Sequence, residues 1–92
     1  MDQSTGYLAT QLLARAKYAH HKGEVERAVE LLNQVIALYK GFNEFANQYP
    51  YRSAHIELYK IHRALGRDDE AGQHYQEAIK LGAKADELEK EE

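Results

Sequence analysis

Apolar residues recur at every third or fourth position through most of this chain, and that spacing predicts amphipathic helices. In the first segment the apolar positions are Leu8, Leu12, Ala16 and Ala19. They predict a helix over about residues 7–22, with Ser4 or Thr5 as its N-cap. Gly23 is expected to end this helix, because glycine adopts the left-handed C-terminal conformation without a Cβ clash.

The second helix is predicted to start at Glu24, and its length is open. Its apolar positions are Ala28, Leu32, Val35, Tyr39, Phe42, Ala46 and Tyr49. This unbroken spacing favours a helix that continues to about Gln48, although Gly41 in its interior costs about 1 kcal/mol relative to alanine. The alternative is a helix that ends near Lys40, followed by a loop over residues 41–49.

Two further helices are predicted after Pro50, which suits the first turn of a helix. They cover about residues 50–65 and 68–81 and are followed by Gly66 and Gly82. Their apolar positions are Ala54, Leu58, Ile61 and Leu65 in the third helix, and Ala71, Tyr75, Ala78 and Ile79 in the fourth. Residues 83–92 favour helix but have almost nothing to bury, so we expect a frayed helix or a solvated tail.

These elements predict one all-α domain of 92 residues, with antiparallel helix-turn-helix repeats over about residues 7–48 and 50–82 and an acidic tail. The net charge of −3 argues against a broad nucleic-acid-binding surface. The absence of cysteine excludes disulfides and thiolate chemistry. No apolar run is long enough to cross a membrane, and no signal sequence is evident, so a cytoplasmic location is expected. No cofactor is expected.

An internal repeat supports this division of the chain. An offset of 43 residues superimposes Gly23 on Gly66 and Ala28 on Ala71. In both copies, a glycine is followed by four residues and an alanine. The glycine suits a tight turn between antiparallel helices, and the small alanine allows the two helix backbones to approach closely.

The second copy resembles a tetratricopeptide repeat (TPR), through residues 64–71 (ALGRDDEA) and the positions Tyr75, Ala78, Ile79 and Leu81. The resemblance covers about residues 9–42 and 52–83. The chain departs from the family pattern at Leu12 and His55, where a large aromatic is usual, and at Tyr59, where a small residue is usual. The closing proline is absent, and the offset exceeds the usual 34 residues. A rival family, the microtubule-interacting-and-transport domain, has three helices, whereas four are predicted here.

The TPR resemblance implies a protein–protein interaction module without enzymatic activity. Its partner would be a peptide or a helix bound on the face lined by the first helix of each repeat. The residues expected on that face are Leu13, Lys17, His20, His21, Ile56, Lys60 and Arg63. Because this set is basic, an acidic peptide is the expected partner.

Self-assembly is the alternative function, because two repeats are fewer than such folds usually need to bury a continuous core. The residues expected to contact a second copy are Phe45, Tyr49 and Tyr51. Tyr39 and Phe42 are assigned instead to the core.

Neither metal binding nor catalysis is predicted. His55 and His62 are two helical turns apart with Tyr59 between them, and His20 and His21 point in different directions on a helix. All four are expected in packing or surface roles. No phosphate-binding loop or nucleophile motif is found in the sequence.

Overall fold

A computed structural model of the protein describes residues 3–40 and 49–89. The described chain is all-α and forms antiparallel helix-turn-helix pairs, as predicted. Its helices are α1 (Gln3–His21), α2 (Val25–Tyr39), α3 (Tyr49–Ala64), α4 (Asp68–Lys80) and a short α5 (Ala85–Glu89). Helix α1 packs against α2, and α3 packs against α4. Helix α3 also contacts α2, α1 and α5, so it is the central element of the fold.

Glycine ends α1, α3 and α4 by one shared mechanism. Gly23, Gly66 and Gly82 have positive φ angles of 84°, 76° and 97°. After α1, the amide of Glu24 donates to the carbonyl of Ala19 (2.9 Å), and the amide of Gly23 donates to that of His20 (3.0 Å). The same pair of bonds recurs after α3 and α4. This is the Schellman arrangement, which satisfies carbonyl groups left unpaired at a helix end.

Replacing Gly66 by alanine should therefore lower the free energy of unfolding by about 1 kcal/mol, because a Cβ is disfavoured at positive φ. Nothing lies within 4 Å of the position such a Cβ would take, so the cost comes from the backbone alone. Gly72 lies inside α4 and is equally open to a Cβ. Gly72→Ala should instead stabilise the helix slightly. Urea denaturation of both variants compares them; equal effects would contradict the prediction.

The predicted apolar stripes form two cores on opposite sides of α3. The first core consists of residues from α1, α2 and α3: Ala9, Leu12, Leu13, Ala16, Ala19, Ala28, Leu31, Leu32, Val35, Tyr39, Ala54, Leu58 and Ile61. The second consists of Ile56, Tyr59, Ala71, Ala78, Ala83 and Leu88. Because α3 is covered on both sides, it also buries four polar residues, namely Ser53, His55, Glu57 and His62.

Three apolar residues assigned to the stripes of the first, third and fourth helices are exposed instead. Leu8 in α1, Leu65 after α3 and Ile79 in α4 are 47%, 44% and 40% exposed. Leu8 and Ile79 lie at the edges of their stripes, where a step of about 100° per residue moves the side chain out of the contact between helices. Leu65 instead follows the end of α3 at Ala64, in the turn before α4. Helix α1 also begins earlier than predicted, so Ser4 and Thr5 lie inside the helix and not at its N-cap.

The prediction that the second helix runs on unbroken past Gly41 is wrong. Helix α2 ends at Tyr39, and Lys40 has an extended backbone with ψ of 131°. The alternative end near Lys40 is therefore the correct one. Phe42 and the other residues of the proposed continuation, 41–48, lie outside the described residues.

The expectation that the C-terminal segment buries almost nothing is also wrong. Leu88 is fully buried and Ala83 is 7% exposed, and both belong to the second core. The physical reason is that α4 alone does not cover α3. Helix α5 returns across α3 and covers apolar surface around Ile56 and Tyr59.

Candidate protein-binding face

Helices α1 and α3 lie side by side and form the face on which partner binding was predicted. The Nδ1 atom of His20 on α1 lies 3.9 Å from Oε2 of Glu57 on α3. Lys17 and His21 are exposed, and Lys60 is half-buried. Four of the predicted residues therefore have side chains at or near the surface of this face.

Leu13 and Ile56 do not belong to this face, contrary to the prediction. Leu13 is 4% exposed and packs in the first core, and Ile56 is 9% exposed and packs in the second. Both are apolar residues at positions covered by neighbouring helices, so burial outweighs any role in contacting a partner. Leu13 and Ile56 therefore belong to the packed interior and do not line the face.

Arg63 is at the surface, but an acidic residue of the same chain already pairs with it. Its guanidinium donates to Oε2 of Glu89 (3.0 Å) and to the hydroxyl of Tyr59 (2.8 Å). The Tyr59 hydroxyl in turn donates to Oε1 of Glu89 (3.2 Å). Hydrogen bonding to Glu89 raises the pKa of Arg63, and burial is the main cause of a raised pKa at Tyr59. Helix α5 is therefore tied to α3 by a closed hydrogen-bonded triangle.

The face is less basic than the sequence suggests, because two carboxylates lie on it. Glu57 is buried between helices, and Glu89 arrives from α5. Both were missed because the predicted lining followed the TPR pattern of the first helices alone. Glu57 lies one turn before Lys60 on α3, so helical spacing contained the signal for it. No pattern in the sequence around either residue predicts that Glu89 contacts Arg63.

A cluster of three histidines lies on the other side of α3. His55 and His62 of α3 are buried, and the ring of His74 from α4 lies against both. The Nδ1 atoms of His55 and His74 are 2.9 Å apart, so one ring donates a hydrogen bond to the other. The His74 and His62 rings are stacked, with centroids 5.6 Å apart. The expected packing role of His55 and His62 agrees with this geometry, although His74 was overlooked.

Burial favours the neutral forms of His55 and His74. Desolvation lowers the pKa of His74 to about 4, and the neighbouring His55 and His62 contribute in the same direction. Desolvation also lowers the pKa of His55, although Glu77 partly opposes it. Nε2 of His55 and Nδ1 of His62 are buried without a hydrogen-bond partner. Within the described residues, no three histidine or carboxylate side chains are arranged to hold a metal ion.

The aromatic residues predicted to contact a second copy differ in their environments. The ring of Tyr51 is half-buried and stacks on the core residue Tyr39, with centroids 5.0 Å apart and planes 4° apart. The side chain of Tyr51 therefore packs against the core of its own molecule. Tyr49 is 53% exposed, and the Arg52 guanidinium lies 6.0 Å from its ring centre. Phe45 lies outside the described residues.

Comparison with known proteins identifies no relative. No model of a known protein family matches the chain, and neither a curated protein nor a solved structure is detectably similar to it. Over residues 3–40 and 49–89, none of the helices combines the length and apolar character needed to cross a membrane. The architecture thus defines an all-α helical-hairpin protein.

Proposed function

We propose that this protein is a non-catalytic interaction module that binds an acidic peptide or helix of a partner protein along the face formed by α1 and α3. One observation carries the proposal: α3 already holds an acidic helix, the chain's own α5. That helix contains Asp86, Glu87 and Glu89 and no basic residue. The chemistry that binds it on α3 is the chemistry we assign to the partner.

The contact between α5 and α3 has an apolar part and a charged part. Leu88 inserts into the second core beside Tyr59, and Glu89 accepts hydrogen bonds from Tyr59 and Arg63. A charge-assisted hydrogen bond of this kind is stronger than one between neutral groups. This contact is evidence that α3 can hold an acidic segment, but α5 occupies it, so a partner would have to use other cations of the face.

The proposed contact with a partner lies toward α1, because α5 already engages Arg63. The cations there are Lys17 on α1 and Lys60 on α3, with His20 and His21 at the end of α1. The two lysines attract acidic segments and raise the rate of encounter. Leu13 of α1 and Ile56 of α3 are buried, and they pack their helices against the first and second cores.

The TPR resemblance of residues 64–71 agrees with this role, although it rests on the sequence pattern alone. The cysteine-free composition suits a reducing compartment, so a cytoplasmic location is part of the proposal. A protein partner is favoured over nucleic acid because the chain carries a net charge of −3.

Binding can be tested with a labelled synthetic peptide that repeats the α5 sequence ADELE, and with a matched peptide in which every acid is replaced by its amide. We expect the acidic peptide to bind the full chain, and Lys17→Glu to weaken binding by about three- to tenfold. Fluorescence anisotropy measures the affinities. Amide shifts in NMR spectra should centre on Lys17, His20 and Lys60.

The control variant is Lys80→Glu, which makes the same change in net charge on α4, away from this face. It should bind the acidic peptide as the unmodified chain does. Equal affinity for the acidic and amide peptides, or equal losses in the two variants, would show that the face does not recognise acidic segments.

A further inference from the structure

The outer face of α1 carries large apolar side chains that no other part of the described chain covers. Tyr7 is 69% exposed and Tyr18 is 63% exposed, and the exposed Leu8 lies beside Tyr7. Single exposed apolar residues are common, but three on one helix make a candidate contact surface. Tyrosine is also among the residues that most often dominate binding energy at protein interfaces.

The internal repeat allows this face of α1 to be compared with the corresponding face of α3. With the offset of 43 residues, Tyr18 corresponds to Ile61 and Arg15 to Leu58, and both counterparts on α3 are buried. They are buried in the core that α3 shares with α1 and α2, the helix pair that precedes it. On α1 the corresponding residues are exposed: Tyr18 is 63% exposed, and Arg15 is also at the surface.

The α1 end of the molecule is basic. Helix α1 contains no acidic residue over Gln3–His21 and carries Arg15 and Lys17, and Lys22 follows it. A surface pocket of about 350 Å³ lies between α1 and the start of α2 and is lined by Ala14, Arg15, Tyr18, Ala19, Glu24 and Arg27. The Lys22 ammonium lies 5.4 Å from the centre of the Tyr18 ring. Tyr18 thus lies near Lys22, Arg15 and Arg27, with one carboxylate, Glu24, in the same pocket.

The opposite end of the molecule is acidic and has its own exposed apolar residues. Helix α4 begins with Asp68, Asp69 and Glu70, and α5 adds further carboxylates. Ile79 on α4 and Leu65 in the turn between α3 and α4 are exposed. Ile79 corresponds to Ile36 of α2, which is half-buried against the first core. Helix α5 covers part of this end through Leu88 but leaves Ile79 open.

We propose that the α1 end of one copy docks on the α4 end of a second copy, in a head-to-tail contact. The contact places Tyr18 and Leu8 against Ile79 and Leu65, and it sets Arg15 and Lys22 opposite the acidic start of α4. It imitates the packing of α3 on α2 within one chain. Because the two surfaces differ, the contact is heterologous and leaves one free end on each side, so chains of copies can grow. This surface is separate from the peptide-binding face between α1 and α3.

Two single variants test the contact. Tyr18→Glu places a negative charge on the α1 end, and Ile79→Lys places a positive charge on the α4 end; both positions are exposed, so folding should be unaffected. Sedimentation equilibrium of the full chain should show concentration-dependent association that weakens as salt rises. Each variant alone should associate on the order of tenfold more weakly, or not at all.

An equimolar mixture of the two variants distinguishes this contact from other modes of assembly. The Ile79→Lys chain keeps an intact α1 end and the Tyr18→Glu chain keeps an intact α4 end, so the mixture should form a dimer that grows no further. Tyr49→Glu, also at an exposed tyrosine, is the control and should associate as the unmodified chain does. A chain that stays monomeric throughout, a mixture that does not dimerise, or association abolished only by Tyr49→Glu would overturn the proposal.

Discussion

Replacing Leu88 by alanine should lower the free energy of unfolding by about 2–3 kcal/mol, near the lower end of the range for a buried leucine. Leu88 is the fully buried side chain of α5, a helix of five residues that has little stability of its own. Truncation therefore removes the main apolar contact that holds α5 on α3. The hydrogen bonds from Tyr59 and Arg63 to Glu89 should weaken with it. Urea denaturation followed by circular dichroism measures the loss.

Leu65→Ala is the matched control, since that leucine is 44% exposed and the same atoms are removed. Its cost should stay below about 1 kcal/mol. A Leu88→Ala protein no less stable than the control would mean that the C-terminal segment is solvated. Amide hydrogen exchange adds an independent readout, because α5 amides should lose protection in Leu88→Ala alone.

The protein should lose stability as the pH falls from about 6.5 to about 4, because burial lowers the pKa of His74 and of His55 in the folded state. The pKa of His74 is lowered to about 4 by burial and by its histidine neighbours, and an unfolded histidine titrates near 6.5. Between these values the unfolded chain binds more protons than the folded one, so each step down in pH favours unfolding. Above pH 6.5 this contribution is fully present.

The loss attributable to His74 should be about 1–2 kcal/mol. A shift of this size corresponds to roughly 3–4 kcal/mol at most, and the partly exposed ring is screened by solvent. His74→Gln removes the titrating group and keeps a polar side chain near His55, so its stability should vary less with pH over this window. His21→Gln changes an exposed histidine and should leave the pH dependence intact. Urea denaturation at several pH values compares the three proteins; identical profiles would contradict the prediction.

The glycine-based turns show how local chemistry could be predicted from sequence. Gly23, Gly66 and Gly82 were expected at helix ends, and all three have the left-handed conformation that those ends require. The alanines that follow the first two turns, Ala28 and Ala71, are buried as expected. Such predictions succeed because a turn and the first contact of a hairpin depend on residues close together in the chain.

The candidate sites were predicted less well, for a different reason. Lys17 is exposed as predicted, because a charged side chain usually stays in water. Leu13 and Ile56 were assigned to the surface because a helical pattern alone does not show how many neighbours a helix has. Helix α3 has neighbours on both sides and buries Glu57 and His55, which hydropathy alone would place in solvent.

The sequence by itself determined the all-α class, the helical hairpins and their glycine ends, because these follow from helical periodicity and local backbone preference. Only the tertiary structure decided that α5 packs on α3, that Glu89 pairs with Arg63, and that His74 joins His55 and His62. These contacts join residues 12 to 30 positions apart. Their formation depends on which apolar surface of α3 remains uncovered after α1, α2 and α4 have packed. No local sequence pattern predicts that surface.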